Sequence, residues 1–490
     1  PGAGYRLPDQ TLVDIIDARR TPWVTIGPRR QWMLLRERPG YPSIEEMAER
    51  ELRLAGVRLK PDQNAESRTW SSSGLSLLSI EDVRRGLVDG MPDAAPVEGL
   101  PPDPRIENVT WSPDGSRVAF TNTTASGVEL WVLQVEEGEA SRVLGPVVSM
   151  TVGVRPVWLY GSDSLVCCLV PRERGPEPVP PRAPQGPIVR ETTGEATPAR
   201  TYQDLLESPY DGTLFEYYLS SQLAIVSLDG SVRRLGEPAI IWDVDPSPDG
   251  EYLLVSKLHR PFSYLVTAWR FPMSVEVLDL DGNVVYEVAD LPLRDNIPIA
   301  RGSVAAGRRH VSWRADVPAT LFWAEALDGG DARAEADYRD QLYLLDAPFD
   351  SEPTEWLKTE LRFSGVMWGH GGLALVEGYW WPTRTMRYWK AAPGDPSQAP
   401  ALVVEHMWQD RYAAPGDPVT TRNSYGRSVL MTSDDAHTVF MIGDGASPDG
   451  DRPFLDAFDT LIGETHRLFR SDAPYYERPI APLSKETRYV

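Results

Sequence analysis

Short runs of alternating apolar and polar residues, separated by turns rich in Pro, Asp and Gly, follow one another along most of the 490 residues. In WSPDGSRVAF, which starts at Trp111, a Ser-Pro-Asp-Gly turn precedes a strand-forming segment. Such a turn between strands predicts a β-hairpin, because Asp and Gly readily adopt the backbone conformations that tight turns require. Long helical periodicity is scarce, so the pattern predicts an all-β protein.

The strand–turn–strand unit recurs seven times, with starts at Thr25, Trp111, Val157, Asp245, Ser312, Met367 and Met431. In five units a second hairpin follows, as in QLAIVSLDGSVRRL (222–235). Each unit is therefore predicted to hold four antiparallel strands, A to D. One such sheet cannot bury both faces alone, whereas seven packed radially can. We predict a seven-bladed β-propeller over residues 21–490, with a last blade that can be incomplete, after an N-terminal extension over residues 1–20.

The spare length is predicted to fall in one slot, between strands B and C, after LLRER, CCLVP, LLVSK and LALVEG. One of these insertions contains YQDLLESPYDGTLFEYY, which predicts a short helix. In a meander the A–B and C–D turns share one rim and the B–C loops share the other. One face is therefore predicted to carry long loops, and loops on a rigid scaffold are where recognition residues collect. Simple surface decoration is the alternative.

Composition excludes several classes of function. Lys plus Arg number 49 and Asp plus Glu number 71, so the net charge of −22 argues against a nucleic-acid partner. No apolar run reaches the roughly 18 residues of a membrane span. The six His show no metal-ligand spacing, and neither a metal nor a cofactor is predicted. The adjacent Cys167 and Cys168 are predicted to be buried free thiols on opposite faces of a strand, with a vicinal disulfide as the alternative.

Catalytic motifs are missing from the sequence. No G-x-S-x-G occurs, and its nearest counterpart, RNSYGRS (422–428), is predicted to be a propeller strand and not a nucleophile turn. Clustered carboxylates are not evident on the predicted inner strands. This argues against a sugar or lactone hydrolase that would use its own central channel.

Two clusters on the predicted long loops combine aromatic and cationic residues. YWWPTRTMRYW contains Arg384 and Arg387, and LHRPFSYLVTAWRF contains His259, Arg260 and Arg270. A guanidinium offers a planar bidentate fork and aromatic walls exclude water, so these residues are predicted to bind a carboxylate. The alternative is structural: each Arg stacks on an aromatic ring and pairs with one of the chain's own acidic residues.

Several longer blocks carry a family resemblance. RTYQDLLESPYDGTLFEYYLSSQL (200–223), LLVSKLHRPFSY (253–264), DLPLRDNIPIA (290–300) and SWRADVPATLFWAEALDGGDA (312–332) resemble the propeller half of chloroplast-type glutamyl endopeptidase. That enzyme is a serine peptidase of the prolyl oligopeptidase family. The resemblance implies cleavage of peptides or unfolded proteins after Glu, by a Ser-Asp-His triad in an α/β-hydrolase domain. That domain is expected downstream, in cis or as a separate chain. This chain ends at SKETRYV, so no catalytic residue can be carried over.

Two further points stay open at this stage. A non-catalytic propeller that serves as a protein-binding scaffold is the alternative to a peptidase. The compartment is not determined: the start at Pro1 suggests removal of a preceding segment, and Arg-, Ala- and Gly-rich usage suggests a bacterium. An exported or periplasmic bacterial protein is one interpretation.

Overall fold

The computed structural model describes residues 8–482 apart from 19, 43, 90–92, 183–201, 296, 298–299 and 481. The end of the Pro-rich stretch over 172–187 and the terminal SKETRYV lie outside the described residues. The protein is mostly β-structure with few helices, as the sequence predicts. Among the described residues no helix is long and apolar enough to cross a lipid bilayer.

The first part of the chain forms helix α1, a four-stranded sheet and the insertion between its second and third strands. We call each set of four strands that pair in chain order, apart from inserted strands, a unit. In chain order these elements are α1 (Gln10–Ile16), β1 (Trp23–Ile26), β2 (Trp32–Arg36), α2 (Ile44–Met47), β3 (Leu52–Leu54), β4 (Val57–Lys60), β5 (Ala65–Glu66), β6 (Leu75–Ser79), α3 (Ile80–Asp89) and β7 (Ala95–Pro96). Unit 1 pairs in the order β1-β2-β6-β7, and β3 to β5 form a small sheet of their own.

Units 2 and 3 belong to one continuous sheet that is joined where Val148 pairs with Leu169. Unit 2 comprises β8 (Ile106–Trp111), β9 (Arg117–Thr124), β10 (Gly127–Gln134) and β11 (Glu139–Val148). Unit 3 comprises β12 (Val157–Trp158), β13 (Ser164–Leu169), β14 (Gln222–Ser227) and β15 (Val232–Arg234), with α4 (Pro209–Leu219) inserted before β14. The predicted short helix is thereby confirmed. Ser208 caps α4 and exchanges hydrogen bonds with Asp211, an arrangement that favours helix initiation.

Units 4 to 7 are separate four-stranded antiparallel sheets. Unit 4 comprises β16 (Ile240–Pro246), β17 (Tyr252–Leu258), β18 (Met273–Asp279) and β19 (Val284–Leu291). Unit 5 comprises β20 (Arg309–Trp313), β21 (Thr320–Ala326), β22 (Asp340–Asp346) and β23 (Thr354–Thr359). Unit 6 comprises β24 (Arg362–Trp368), β25 (Ala374–Trp380), β26 (Thr385–Ala391) and β27 (Ala401–Met407). The last stretch contains β28 (Asp417–Pro418), β29 (Thr420–Arg422), β30 (Ser428–Leu430), β31 (Thr438–Gly443), β32 (Phe454–Asp459) and β33 (Thr465–Arg470).

Unit 7 corrects two sequence predictions. Its sheet is β28-β31-β32-β33, so it holds four strands. Strands β29 and β30 pair only with each other, as a hairpin that interrupts strand A of the unit. The sequence prediction that RNSYGRS is a propeller strand is wrong, because this segment forms the tip of the hairpin. The rule that every insertion falls between strands B and C is therefore wrong here, because an insertion inside a strand leaves the flanking β-pattern unchanged.

The recurrent Ser-Pro-Asp-Gly turn has a local physical cause. In unit 2, Asp114 Oδ1 accepts hydrogen bonds from Ser112 Oγ at 2.6 Å and from the Ser116 amide at 3.0 Å. Gly115 lies at φ 69°, in the left-handed region that favours glycine. The unit 4 turn repeats the arrangement with Ser247, Asp249 and Gly250. The motif therefore encodes the A–B turn itself.

Consecutive units pack against each other through shared apolar clusters. Phe120 of unit 2 packs with Leu34 of unit 1, and Cys167 of unit 3 packs with Leu130 of unit 2. Cys168 faces the other way and packs with Val255 of unit 4, so the two free, buried thiols lie on opposite faces, as predicted. The same kind of cluster joins units 4 and 5, units 5 and 6, and units 6 and 7. Units 2 to 6 thus bury both faces of their sheets against their neighbours.

Tryptophans at the ends of strand A link one unit to the unit before it. Trp111 donates to Thr25 Oγ1 at 3.2 Å, and Trp158 donates to the Thr110 carbonyl at 3.2 Å. Trp313 donates to the Asp245 carbonyl at 2.9 Å. In each case the donor and the acceptor lie on strand A of successive units. The A strands of neighbouring units therefore lie side by side.

The last unit also contacts the first. Arg30, in the A–B turn of unit 1, donates to Thr421 Oγ1 at 3.1 Å and to the Pro482 carbonyl at 2.6 Å. It lies at 3.3 Å from the Met431 sulfur as well. These contacts join the last part of the chain to unit 1. We call the edge with the A–B and C–D turns the turn rim, and the opposite edge, with the B–C and D–A connections, the insertion rim.

A buried ionic network at the insertion rim joins units 5 and 6. Arg362 is 1% exposed and donates to Asp328 at 2.6 Å and to Asp340 at 2.8 Å, and both carboxylates are fully buried. Arg339 adds a contact to Asp328 at 3.0 Å, and Arg309 binds Asp340. Removing one partner of a buried ion pair leaves an uncompensated charge, which is strongly destabilising.

We therefore predict that Arg362→Ala lowers the free energy of unfolding by about 3–5 kcal/mol, because two buried carboxylates each lose one of their two arginine partners. Equilibrium urea denaturation of the chain measures this. Arg333→Ala is the matched control, since it breaks an Arg–Asp contact at 2.8 Å on the surface. It should leave the transition midpoint unchanged. Equal midpoint shifts for the two variants would contradict a stabilising role for the buried network.

Candidate functional site

Arg384 lies at the insertion rim in the turn between β25 and β26, with φ at 59°. Its guanidinium lies 4.0 Å from the centroid of the Trp381 ring and donates to the Trp381 carbonyl at 2.9 Å. Trp408 flanks the same group at 5.9 Å. Arg301, from the connection between units 4 and 5, lies 4.0 Å from the same Trp381 centroid. One indole ring thus contacts two guanidinium groups.

Neither Arg301 nor Arg384 has a carboxylate partner among the described residues. A guanidinium without a carboxylate partner keeps its hydrogen-bonding capacity for an anion. The aromatic face contributes a cation–π attraction of roughly 0.5–1 kcal/mol at a partly exposed site. Carboxylate binding by an aromatic wall with guanidinium groups stays a prediction for these residues. We call Arg301, Trp381 and Arg384 the Trp381 site.

Arg387 has partners of its own. It binds Glu405 at 2.5 Å and also contacts Glu360. Burial acts to lower the pKa of Arg387, but the two carboxylates outweigh it and raise the pKa. A ligand carboxylate would have to compete with both. The structural alternative given for these arginines, pairing with the chain's own acids, therefore describes Arg387.

His259 and Arg260 are also engaged. His259 Nε2 lies 3.1 Å from Asp290 Oδ1, and Arg260 binds Glu216 at 2.9 Å. The Arg260 guanidinium also lies 4.7 Å from the Phe262 ring centroid. It lines an open cavity of about 580 Å³ between α4 and the β17–β18 loop. The Arg260 pair is exposed, and such pairs contribute only about 0–1 kcal/mol, so a ligand could displace it.

Arg270 forms a second pair of guanidinium groups with a residue that the sequence reasoning missed. It donates to the Arg294 carbonyl at 3.1 Å and lies 5.8 Å from the Tyr202 ring centroid. Arg294 donates to the Trp269 carbonyl, and its Nε is buried with no hydrogen-bond partner in the described part of the chain. Burial and the neighbouring Arg270 charge both lower the pKa of Arg294. This second site is therefore also short of negative charge.

The missed arginines share a location. Arg294, Arg301 and Arg309 all lie in or next to the D–A connection over 292–308. The sequence reasoning considered only B–C insertions, although D–A connections reach the same rim. A usable signal was present, since the stretch from 294 to 309 contains four arginines in a strongly acidic chain.

Ionisable groups also lie on the A strands. Burial raises the pKa of Glu107 on β8, and it also raises that of Asp243 on β16, where Asp245 adds to the effect. Burial lowers the pKa of His310 on β20. Asp243 and His310 nevertheless remain open to water.

Glu66, in the unit 1 insertion, and Glu107 lie close enough for their charges to interact. Glu66 on β5 has a raised pKa, first because of burial and second because of the Glu107 carboxylate. Thr69 donates to Glu107 at 2.8 Å. The described residues contain no group of three or more side chains suited to a metal ion.

The chain is similar in sequence to two plant proteins of the kind that the sequence blocks resemble. The chain is 38% identical over 501 aligned residues to a protein of Oryza sativa subsp. japonica named probable glutamyl endopeptidase, chloroplastic. An Arabidopsis thaliana protein of the same name is also 38% identical. Both matches include 99% of this chain, which covers 53% and 51% of the respective relatives. The chain thus spans about half the length of the curated relatives it matches, and the predicted resemblance is confirmed.

Solved structures give weaker similarity. A prolyl endopeptidase matches with a TM-score of 0.47 and 13% identity, over 95% of this chain and 52% of that one. The β-propeller domain of the Trilobed protease from Pyrococcus furiosus matches with a TM-score of 0.41 and 9% identity, over 94% and 99%. No family model matches the chain. The two relatives are plant proteins named as chloroplastic, so the interpretation as a bacterial exported protein gains no support.

Glu107 and Glu51 have pKa values shifted in opposite directions, so they are predicted to change the pH dependence of stability in opposite ways. Glu107 has a raised folded-state pKa, so its ionisation destabilises the fold as pH rises through that value. Glu51 differs: burial would raise its pKa, but hydrogen bonds from Ser67, Arg53 and Arg68 outweigh this and lower it to about 2. Its stabilising effect is present above the unfolded-state value and is lost as pH falls towards 2.

We predict that Glu107→Gln raises the free energy of unfolding at pH 8 and has no effect at low pH, where the wild-type carboxyl is already neutral. Glu51→Gln should lower stability at pH 7 by on the order of 1 kcal/mol after solvent screening, with the difference vanishing as pH falls. Chemical denaturation of both variants across this pH range is the measurement. The same pH slope for the two variants would contradict the assignment.

Proposed function

Because the chain is related over nearly its whole length to glutamyl endopeptidases, we propose that it is the propeller portion of a serine endopeptidase that cleaves after Glu. The catalytic Ser, Asp and His then lie in an α/β-hydrolase segment outside this chain. That segment is either continuous with the chain or a separate chain. The role of the residues described above is to admit the substrate and to bind its acidic side chain, with no cofactor.

The proposed architecture is a seven-bladed propeller. Three observations support it: the seven four-stranded units, the apolar clusters between consecutive units, and the Arg30 contacts that connect unit 7 to unit 1. The aligned strand-A tryptophans support inner strands that run around a common axis. The insertion rim then forms one face of the disc and collects the long loops around the axis.

The Trp381 site is proposed to bind the carboxylate of the substrate's Glu side chain. The guanidinium groups of this site, unpaired with any carboxylate of the described residues, are the observation that supports the proposed Glu specificity. Arg384 is a candidate from the sequence. The structure adds Arg301, whose guanidinium also contacts the Trp381 ring. Both lack a carboxylate partner among the described side chains, so a ligand carboxylate would not have to displace one. Arg270 with Arg294 is the second candidate. Arg387, His259 and Arg260 rank lower, because each already contacts an acid of the chain itself.

Exposed apolar side chains indicate where another domain could cover this part. Ile44 and Met47 of α2 are 85% and 74% exposed, and Trp70 in the same unit 1 insertion is 62% exposed. Exposed apolar groups in one region are typical of an interaction surface. This fits a hydrolase domain on the insertion rim. It also fits the alternative function, a non-catalytic scaffold whose partner is another protein.

We predict that the full-length protein cleaves a peptide after Glu and that Arg384→Ala lowers kcat/KM for it by about 10- to 100-fold, the loss expected for one charge-assisted hydrogen bond. Cleavage of the matched Gln peptide should change little, because Gln carries no charge. Kinetics with the two peptides measure the effect.

Arg387→Ala is the control, since that side chain belongs to the same loop region but already binds Glu360 and Glu405. Equal rates of wild type and Arg384→Ala on the Glu peptide would show that the Trp381 site does not bind the Glu side chain. No cleavage after Glu by the wild-type protein would instead overturn the peptidase itself.

A further inference from the structure

The β29–β30 hairpin is an element that the peptidase proposal does not use. It leaves strand A of unit 7, and its five-residue tip, 423–427, reaches back across the turn rim. The Asn423 side chain closes the tip, because its Oδ1 accepts from the Tyr425 amide at 3.1 Å and from the Arg427 amide at 2.9 Å. The tip is therefore a structured turn.

This one hairpin touches the turn rim of every other unit. Thr421 accepts from Arg30 of unit 1, and Gly426 packs on Pro113 of unit 2. Tyr425 packs on Tyr160 of unit 3 with ring centroids 5.5 Å apart. The remaining contacts, to units 4, 5 and 6, are made by Arg427 to Asp245, by Asn423 to the Ala315 carbonyl, and by Leu430 beside Gly369.

A small element can meet six different units only where those units converge. The contacted residues lie in or directly beside the A–B turns, which follow the inner strands. The hairpin therefore lies on the common axis of the A strands. Glu107, Asp243 and His310 lie on those same strands. We call the space between the A strands the central lumen, and the hairpin covers its end at the turn rim.

The contacts are specific rather than loose packing. Arg427 donates to Asp245 Oδ1 at 2.6 Å and also to the Pro246 carbonyl, so it binds a side chain and the backbone of β16 together. Asn423 Nδ2 donates to Ala315 at 2.7 Å. Gly426 lies at φ 72°, and a Cβ there would lie 2.7 Å from Pro113 Cβ. Glycine is thus required both for the backbone conformation and for the close approach.

We propose that the β29–β30 hairpin is a fixed stopper that closes the central lumen at the turn rim, so that ligands enter the lumen only from the insertion rim. The proposal depends on the ring arrangement but not on peptidase activity. It implies that no peptide threads through the disc. Substrate chains of any kind then meet the Trp381 site before they meet the lumen.

The test measures access to the lumen by cysteine labelling of the full chain. Cys167 and Cys168 are 1% and 3% exposed and should not react, so an introduced thiol reports alone. Asp243→Cys places one on β16, two residues before the Arg427 contact. His310→Cys places another at the start of β20, the end nearest the insertion rim. The reagent is a maleimide carrying a polyethylene glycol chain.

The hairpin is displaced by Gly426→Ala, and Gly463→Ala is the matched control. Gly463 has φ 73°, almost the same as Gly426, but a Cβ there meets nothing within 4 Å. Both variants therefore carry the same backbone strain, and only Gly426→Ala clashes with Pro113. Arg427→Ala is a second way to release the hairpin without any backbone strain.

In the Gly426→Ala and Arg427→Ala backgrounds, labelling at position 243 should accelerate by about tenfold, as expected when local opening becomes easier. Labelling at position 310 should not change, and neither site should change with Gly463→Ala. Unchanged labelling at position 243 would overturn the stopper. Equal acceleration at both positions would also overturn it, because that result means general loosening of the fold.

Discussion

Packing between neighbouring sheets is the constraint on which the rest of the structure depends. A four-stranded sheet with apolar residues on both faces cannot be stable alone, and here each sheet shares an apolar cluster with the next. Cys167 and Cys168 show this on a single strand, since adjacent residues belong to the clusters on opposite sides. The stacking fixes the A strands side by side. It thereby separates the turns from the insertions and brings distant loops to one rim.

The distribution of charged side chains over the protein suits an anionic ligand at the insertion rim. The chain carries a net charge of −22, yet the insertion rim contains guanidinium groups that lack acidic partners among the described residues. Arg362 shows the opposite situation, because Asp328 and Asp340 neutralise it inside the fold. A guanidinium that already has a carboxylate serves stability. One held against an indole ring, such as Arg384, keeps its hydrogen-bonding capacity for a ligand.

Sequence reasoning recovered what local patterns encode. The Ser-Pro-Asp-Gly turns, the four-stranded units, α4 and the two buried thiols follow from residues within one hairpin or one helix. It missed the β29–β30 hairpin, because an insertion within strand A leaves the local alternation intact. It also could not separate Arg384 from Arg387, which are three residues apart. Their difference depends on Glu405, which the strand register places opposite Arg387, and on Glu360, which lies in the connection between β23 and β24.

The measurement that tests the central claim most directly is the intact mass of the purified natural protein after treatment with a fluorophosphonate, which labels active-site serines. The account predicts that one probe molecule attaches to a larger species containing this sequence, or to a second chain that copurifies with it. A lone unlabelled species near the 54.6 kDa of this chain would contradict the account. The propeller would then act without a hydrolase, as a binding scaffold.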